Sequence, residues 1–291
     1  MHAYCYSASE IDLESYFLTE VSYIDKCVWT DKACLLTSGN KVVPHFVEGI
    51  KELNTPPVDP LFIKKAVADS GTLKLKFEDL TVVGLKKAVL KKVEANNDKT
   101  VLTVVIETPI EVKGVYTAGG SLLSVPVEGH GQTEMKTEKV KLTVKANLQK
   151  FNKNGAEHYK IATYDLKFNF IEQLFIEFHN LFNGDNTKGK CITNIKAVAQ
   201  FKQTEPLSSA HKDFELFEKT YFYGNSIWFN MTKDISNSTE IDPIRAIIRE
   251  SWRDLVPEIG KPIIKELADI VIAAMNKFLA GLPIDELEII A

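Results

Sequence analysis

Residues 241–280 read IDPIRAIIRESWRDLVPEIGKPIIKELADIVIAAMNKFLA, and the spacing of apolar residues in this stretch decides the fold. Ile244, Ile248, Trp252, Leu255, Ile259, Ile263, Leu267, Ile270, Ala274 and Phe278 recur at steps of three and four, the period of an amphipathic α-helix. Arg249, Glu250, Arg253, Asp254, Glu258, Lys261, Lys265, Glu266, Asp269 and Lys277 occupy much of the remainder. A second apolar set, Val256, Ile264, Val271, Ile272, Met275 and Leu279, widens the stripe well beyond a single seam. A helix apolar over so broad an arc needs a surface that wraps it. From Asp242 to Ala280 it runs somewhat under about 60 Å at about 1.5 Å per residue, and Gly281 and Pro283 end it. Pro257 and Pro262 each remove a backbone donor and crowd the preceding turn, so a local kink or interruption is expected at each.

The wrapping surface is legible upstream, where the period changes from 3.6 to two. Leu73, Leu75 and Phe77 alternate with Lys74, Lys76 and Glu78. Val140, Leu142 and Val144 alternate with Lys139, Lys141, Thr143 and Lys145, and Tyr164, Leu166, Phe168 and Phe170 with Asp165, Lys167 and Asn169. Between them lie a more continuous apolar run, Val101 to Ile106, and the stretch from Gly114 to Val127. Such alternation marks strands with one wet and one apolar face, as in an antiparallel sheet. Turns are expected at Asn96-Asn97-Asp98, Gly119-Gly120 and Asn152-Lys153-Asn154-Gly155. No helix-length crossover separates these strands, which argues against a parallel sheet. Ahead of them, Ser9 to Leu53 reads as helical, followed by the proline-rich extended segment Asn54 to Pro60. The chain is expected to form a single elongated domain, 1–291, with residues 186–240 as an aromatic insertion within it.

Composition and motifs exclude more than they assign. With 45% hydrophobic and 25% charged residues the chain is ordinary globular material, neither disordered nor fibrous. Net charge is −4 with lysines interleaved among acids, so no basic stripe invites a nucleic acid. No apolar run reaches the roughly 18–20 residues that span a bilayer, so no stable membrane insertion is expected. The phosphate-loop, dinucleotide, nucleophile-elbow, zincin and EF-hand signatures are absent. Gly129-His130-Gly131 reads as a turn, and the six histidines lack metal-ligand spacing, so neither metal, cofactor nor catalytic residue is expected.

Compartment is read from three features. Met1 to Glu10 lacks the profile of a signal peptide, which leaves either a cytosolic chain or a mature form without its leader. Cys27 and Cys34 stand close enough to close a short loop, with no Cys/His ligand set around them. Sequons at Asn230 and Asn237 fall together in one polar stretch as candidate glycosylation sites. The cysteine loop and the sequons favour a secretory compartment.

Several motifs in order resemble the takeout/juvenile-hormone-binding proteins of insects. Tyr23-Ile24-Asp25-Lys26-Cys27 to Cys34 is similar to that family's disulfide arm, and Val58-Asp59-Pro60-Leu61-Phe62-Ile63 to its DPL-x-I segment. Lys113-Gly114-Val115-Tyr116, followed by Gly120 to Gly131, resembles its glycine-rich strand pair. Asn180 to Asp185 resembles its NLFNGD motif, and Glu250-Ser251-Trp252 and Leu282 to Leu287 the ends of its final helix region. The resemblance implies an α+β super-roll (TULIP-like), in which a highly curved antiparallel sheet wraps a long C-terminal helix around an apolar tunnel. It also implies secretion and a hydrophobic small-molecule partner, such as a terpenoid, a carotenoid or another lipid. The family's hormone carriers have a second cysteine pair with no clear counterpart here, Cys5 and Cys191 being the two that remain, which favours a takeout-like member.

Strand parity and helix phase then nominate the tunnel lining: Leu75, Phe77, Val104, Ile106, Tyr116, Leu142, Val144, Phe168, Phe170, Trp252, Ile259, Ile263, Leu267 and Val271. Tyr116 or Trp252 would offer one polar contact to a cargo carbonyl or hydroxyl. A rival reading is a recognition protein that docks a protein receptor through residues 186–240, with the tunnel filled by side chains.

Overall fold

The computed structural model describes residues 23–122, 125–172, 174–180, 194–199 and 241–289, with backbone alone for 122, 125, 194–199 and 241–259. The elements in order are α1 (Lys32–Glu48), β1 (Leu61–Asp69), β2 (Leu73–Val83), β3 (Val89–Ala95), β4 (Val101–Leu122), β5 (Val125–Lys153), β6 (Ala156–Phe170), β7 (Leu174–His179), β8 (Asn194–Ala199), α2 (Ile241–Gly281) and α3 (Ile284–Leu287). The strands form one antiparallel sheet in the order β1-β2-β4-β5-β7-β8, with β3 paired to β4 and β6 to β5.

The 22-residue β4 and 29-residue β5 are its spine, and each changes partner along its length. Residues 102–107 of β4 pair with β3 and residues 111–120 with β2. Residues 133–137 of β5 pair with β7 and residues 140–153 with β6. The change falls at a bulge, where Thr108 opposes Val140 but Ile110 opposes Thr137. Pro109 sits there because it has no N–H to give to a ladder. Bulges bend strands and increase their twist, so the spine is built to curl.

The curl can be inferred from what touches the helix. β1 and β6 lie four strand spacings apart, about 19 Å on a flat sheet at about 4.8 Å each, yet both pack against α2. A helix is only about 10–12 Å across, so the sheet must fold around it. The helix is continuous from Ile241 to Gly281, and the interruptions expected at Pro257 and Pro262 do not end it. Each proline removes one hydrogen bond, whereas tertiary burial of an apolar face supplies most of a helix's stability in a folded protein. Ile263, Ile264, Leu267, Ala268, Ala274 and Phe278 are all buried.

Edge strands present unpaired backbone groups, and both helices cover them with asparagine. On β6, Ile161 donates its N–H to Asn276 Oδ1 (2.7 Å), and Asn276 Nδ2 donates to the Ile161 carbonyl (3.2 Å). On β3, Leu90 donates to Asn40 Oδ1 (2.9 Å), and Asn40 Nδ2 donates back to the Leu90 carbonyl (3.1 Å). Each amide imitates a neighbouring strand at one residue and blunts that edge.

The first and last described segments meet beside the sheet. The Cys27–Cys34 disulfide ties the N-terminal arm to α1, whose first turn is capped by Asp31 accepting from Ala33 and Cys34 (3.0 Å each). By the loop-entropy argument a loop this short contributes about 2–3 kcal/mol. Cys27 in turn forms a parallel bridge with Glu288, and Cys27, Trp29, Tyr159 and Ile284 are buried. In the DPL-x-I segment, the buried Asp59 carboxylate accepts from the backbone of Gly84 (3.1 Å) and Lys86 (2.8 Å), fastening the start of β1 to the turn before β3.

Other expectations are revised. β1 and β3 are strands that the alternation did not single out, and α1 begins only at Lys32; residues 1–22 lie outside the described set. Gly119-Gly120 and Gly129-His130-Gly131 are not turns but lie within β4 and β5, where Gly119 opposes Glu128 and Gly129 opposes Ala118. Gly131 is there for close approach: a Cβ would stand 2.1 Å from the His179 carbonyl oxygen. Of the stretch 186–240, residues 194–199 form β8 and extend the sheet from β7; Asn230, Asn237, Cys5 and Cys191 lie outside the described residues.

Asn276→Ala should expose the Ile161 backbone at a part-buried edge. We expect a loss of about 1–3 kcal/mol in urea unfolding and faster amide exchange at Ile161 than at Val144, which is paired on both sides.

Candidate ligand-binding cavity

The sheet parts where β5 exchanges β7 for β6. β6 ends at Phe170 and β7 begins at Leu174, and the connection hooks back through Ile171 N–H donating to the Lys139 carbonyl (2.9 Å). Beneath this parting lies a cavity of 40 Å³, between Gly260, Ile263, Ile264 and Leu267 of α2 and the sheet. The sheet contributes Ile110 and Val112 from β4, Met135, Lys136 and Thr137 from β5, Phe170 from β6, and Leu174 and Ile176 from β7. The wall is almost wholly carbon, and Thr137 Oγ1 is engaged with the backbone of Lys139 (3.4 Å). A void of this size has room for about three waters, but a water needs polar partners that this wall lacks.

One seam between α2 and the sheet is polar. Tyr164 of β6 donates to Asp269, Lys265 Nζ donates to the other Asp269 oxygen (2.6 Å), and Lys153 Nζ donates to the Ala280 carbonyl (2.7 Å). Hydrogen bonds first from Lys265 and then from Tyr164 hold the Asp269 carboxyl below its ordinary range. Burial, reinforced by Asp269, pushes the Tyr164 hydroxyl up. At the far end the buried Tyr159 ring packs 5.4 Å from Trp29, and Lys99 stands 2.8 Å from Glu288. Burial, followed by the Glu288 carboxylate, raises the Tyr159 hydroxyl to about 12.

The nominated residues fall into four groups. Phe170, Ile263 and Leu267 line the cavity. Leu75, Phe77, Tyr116 and Leu142 are buried in the same core, and Ile106, Phe168 and Val271 pack partly buried against it. Val104 and Val144 face one another across β4 and β5, partly exposed, between the main core and the Trp29 end. The side chains of Trp252 and Ile259 lie outside the described residues. Tyr116 stands away from the cavity: its ring packs edge-on to Phe178 at 4.7 Å, and its hydroxyl, held protonated by burial, donates to the His179 carbonyl (2.7 Å). The polar contact expected of Tyr116 is thus already made within the chain.

The cavity residues the sequence reading passed over follow one rule. On β4 the parity of Val104 and Ile106 continues through Thr108 to Ile110 and Val112, so extending it reaches the wall. On β5 the extra residue at the bulge reverses parity: Val140, Leu142 and Val144 face inward beyond it, Met135 and Thr137 before it. A one-residue slip moves every side chain to the opposite face, and alternation alone does not show where it occurs.

A 41-residue helix on the concave side of one curled antiparallel sheet, with an apolar cavity between them, defines an α+β super-roll of the TULIP-like kind. Residues 4–197, about two thirds of the chain, match the family described as haemolymph juvenile hormone binding protein (JHBP), and the chain belongs to this takeout/juvenile-hormone-binding family. It is 24% identical over 226 residues to the circadian clock-controlled protein daywake of Drosophila melanogaster, covering 73% of this chain and 86% of that one. Daywake of Drosophila yakuba is 22% identical over the same length. The crystal structure of Takeout 1 from Epiphyas postvittana superposes with a TM-score of 0.67 at 21% identity, over 92% of this chain and 100% of that one. Among the described residues, no helix is long and apolar enough to cross a membrane.

Two outcomes are expected. Leu267→Arg should abolish retention of an apolar ligand while Lys265→Ala leaves it unchanged, as measured by ligand recovery from gel-filtered protein; equal retention would remove Leu267 from the binding surface. A carboxyl held low in the fold stabilises above its unfolded pKa, near about 4, and ceases to do so as pH falls through its folded value. The melting temperature should therefore drop as pH falls below about 4, and Asp269→Asn should flatten part of that drop.

Proposed function

We propose that the chain is a secreted, non-enzymatic carrier that holds a long hydrophobic small molecule, of terpenoid, carotenoid or lipid-like kind, in a tunnel between α2 and the concave face of the sheet. The observation that carries this reading is the carbon-walled cavity between helix and sheet, in a family described as hormone-binding. At 40 Å³ the cavity is far below the roughly 300–1,000 Å³ of a site for a drug-sized ligand, so a long cargo has to displace neighbouring side chains. Met135 and the partly buried Phe168, Val271, Met275 and Leu279 are the side chains with room to yield. Binding then draws on apolar transfer at about 25 cal/mol per Å², with few polar contacts. The Cys27–Cys34 disulfide and the sequons at Asn230 and Asn237 support an oxidising, extracellular setting.

The test is organic extraction of the protein purified from its natural source, followed by mass spectrometry and an absorption spectrum. A stoichiometric apolar molecule is expected. An empty extract from protein handled without detergent would overturn the carrier reading and turn attention to a protein receptor acting through residues 186–240.

A further inference from the structure

Gly260 stands in the middle of α2, on the stripe that continues at steps of three and four through Ile263, Ile264, Leu267, Val271 and Ala274. It is itself part of the cavity wall, and, its chain neighbours and own helical backbone apart, no atom of the described residues lies within 4 Å of the point a Cβ would occupy. Two ordinary rules are broken at once. A helix interior favours alanine over glycine, because glycine forfeits more backbone freedom and leaves the backbone bare. An inward position on a core-facing helix normally carries a large side chain, because interiors are packed without voids. The neighbouring inward residues obey the second rule: Ile263, Ile264 and Leu267 are 3–7% exposed. A glycine facing apolar space on that stripe leaves room that none of the described side chains fills.

We infer that Gly260 is a ligand-contact and size-selecting position, at which an apolar segment of the cargo lies directly against the backbone of α2. This rests on the carrier reading and sharpens it. Gly260 shares its wall with Ile110, Val112, Met135, Ile176 and the helix isoleucines, and although Lys136 and Thr137 also border it the exposed lining is almost wholly carbon, so the segment seated there is hydrocarbon. A polar end of the cargo lies elsewhere. Added bulk at residue 260 therefore competes with the cargo for one space, and leaves the empty protein intact or steadier.

The experiment uses the full chain as purified, with Gly260→Ala, Gly260→Leu and the exposed Lys277→Ala as control. Each is titrated with the apolar fluorophore N-phenylnaphthylamine and melted without ligand. Gly260→Ala should raise the empty protein's melting temperature by about 2 °C and weaken probe binding about threefold or more. Gly260→Leu should weaken it about tenfold or more, and Lys277→Ala should match wild type. Wild-type affinity in both glycine variants would overturn the assignment while leaving the carrier reading standing. A wild-type protein that takes up no probe would overturn both. Should Gly260→Leu fail to fold, Gly260→Ala decides alone; a fall in its melting temperature by several degrees would show that the space is not free, and would also overturn the assignment.

Discussion

A helix that is apolar around much of its circumference cannot be buried by a flat sheet, and the architecture follows from that constraint. α2 presents two apolar sets side by side, and Ile263, Ile264, Leu267, Ala274 and Phe278 are all withdrawn from solvent. One flat face would leave part of this arc wet. The sheet instead curls until β1 and β6 flank the same helix. The long strands β4 and β5 make the curl possible by handing partners over at a bulge, so that one continuous sheet faces the helix from several directions.

Curling creates its own difficulty, because edge strands end against a helix that offers no backbone ladder. At β6 the helix answers with side chains: Asn276 pairs both ways with Ile161, and Asp269 accepts from Tyr164, while at the end of β5 Lys153 donates to the Ala280 backbone carbonyl. At β3 Asn40 of α1 repeats the device with Leu90. Beside β1 the core is made of apolar contacts, with Leu61, Ile63, Ala66 and Ala68 buried. The helix is thus positioned by directional bonds along one seam and by burial along the other. That fixes its rotation, and with it which side chains face the interior.

The cavity is a by-product of the same hand-over. Where β5 leaves β7 for β6, the strands part and an extra residue reverses the inward parity, so the wall there is assembled from four strands and the helix. Among the described residues, other parts of the interior are packed with aromatic side chains. Phe77, Tyr116 and Phe178 stack into one aromatic cluster, and Trp29, Tyr159 and Ile284 close the opposite end beneath the Cys27–Glu288 bridge.

The sequence by itself determined the long helix and the antiparallel strands around Leu75, Val104, Leu142 and Phe168. Periods of 3.6 and two are written into any chain whose elements are half buried. The motif order around Cys27, Asp59, Gly131 and Leu282 determined the family and hence the super-roll. It did not determine β1 and β3, the absence of a break at Pro257 and Pro262, or the wall formed by Ile110, Met135 and Ile176. Those depend on where a strand gains a residue and on how much burial offsets a lost hydrogen bond, and both are settled only when distant segments pack. Tyr116 shows the same limit: parity correctly placed it inward, but only the fold brings Phe178 against its ring and the His179 carbonyl to its hydroxyl. Periodicity reports which way a side chain points; what it meets there is a property of the tertiary structure, because the partners come from 62 and 63 residues away along the chain.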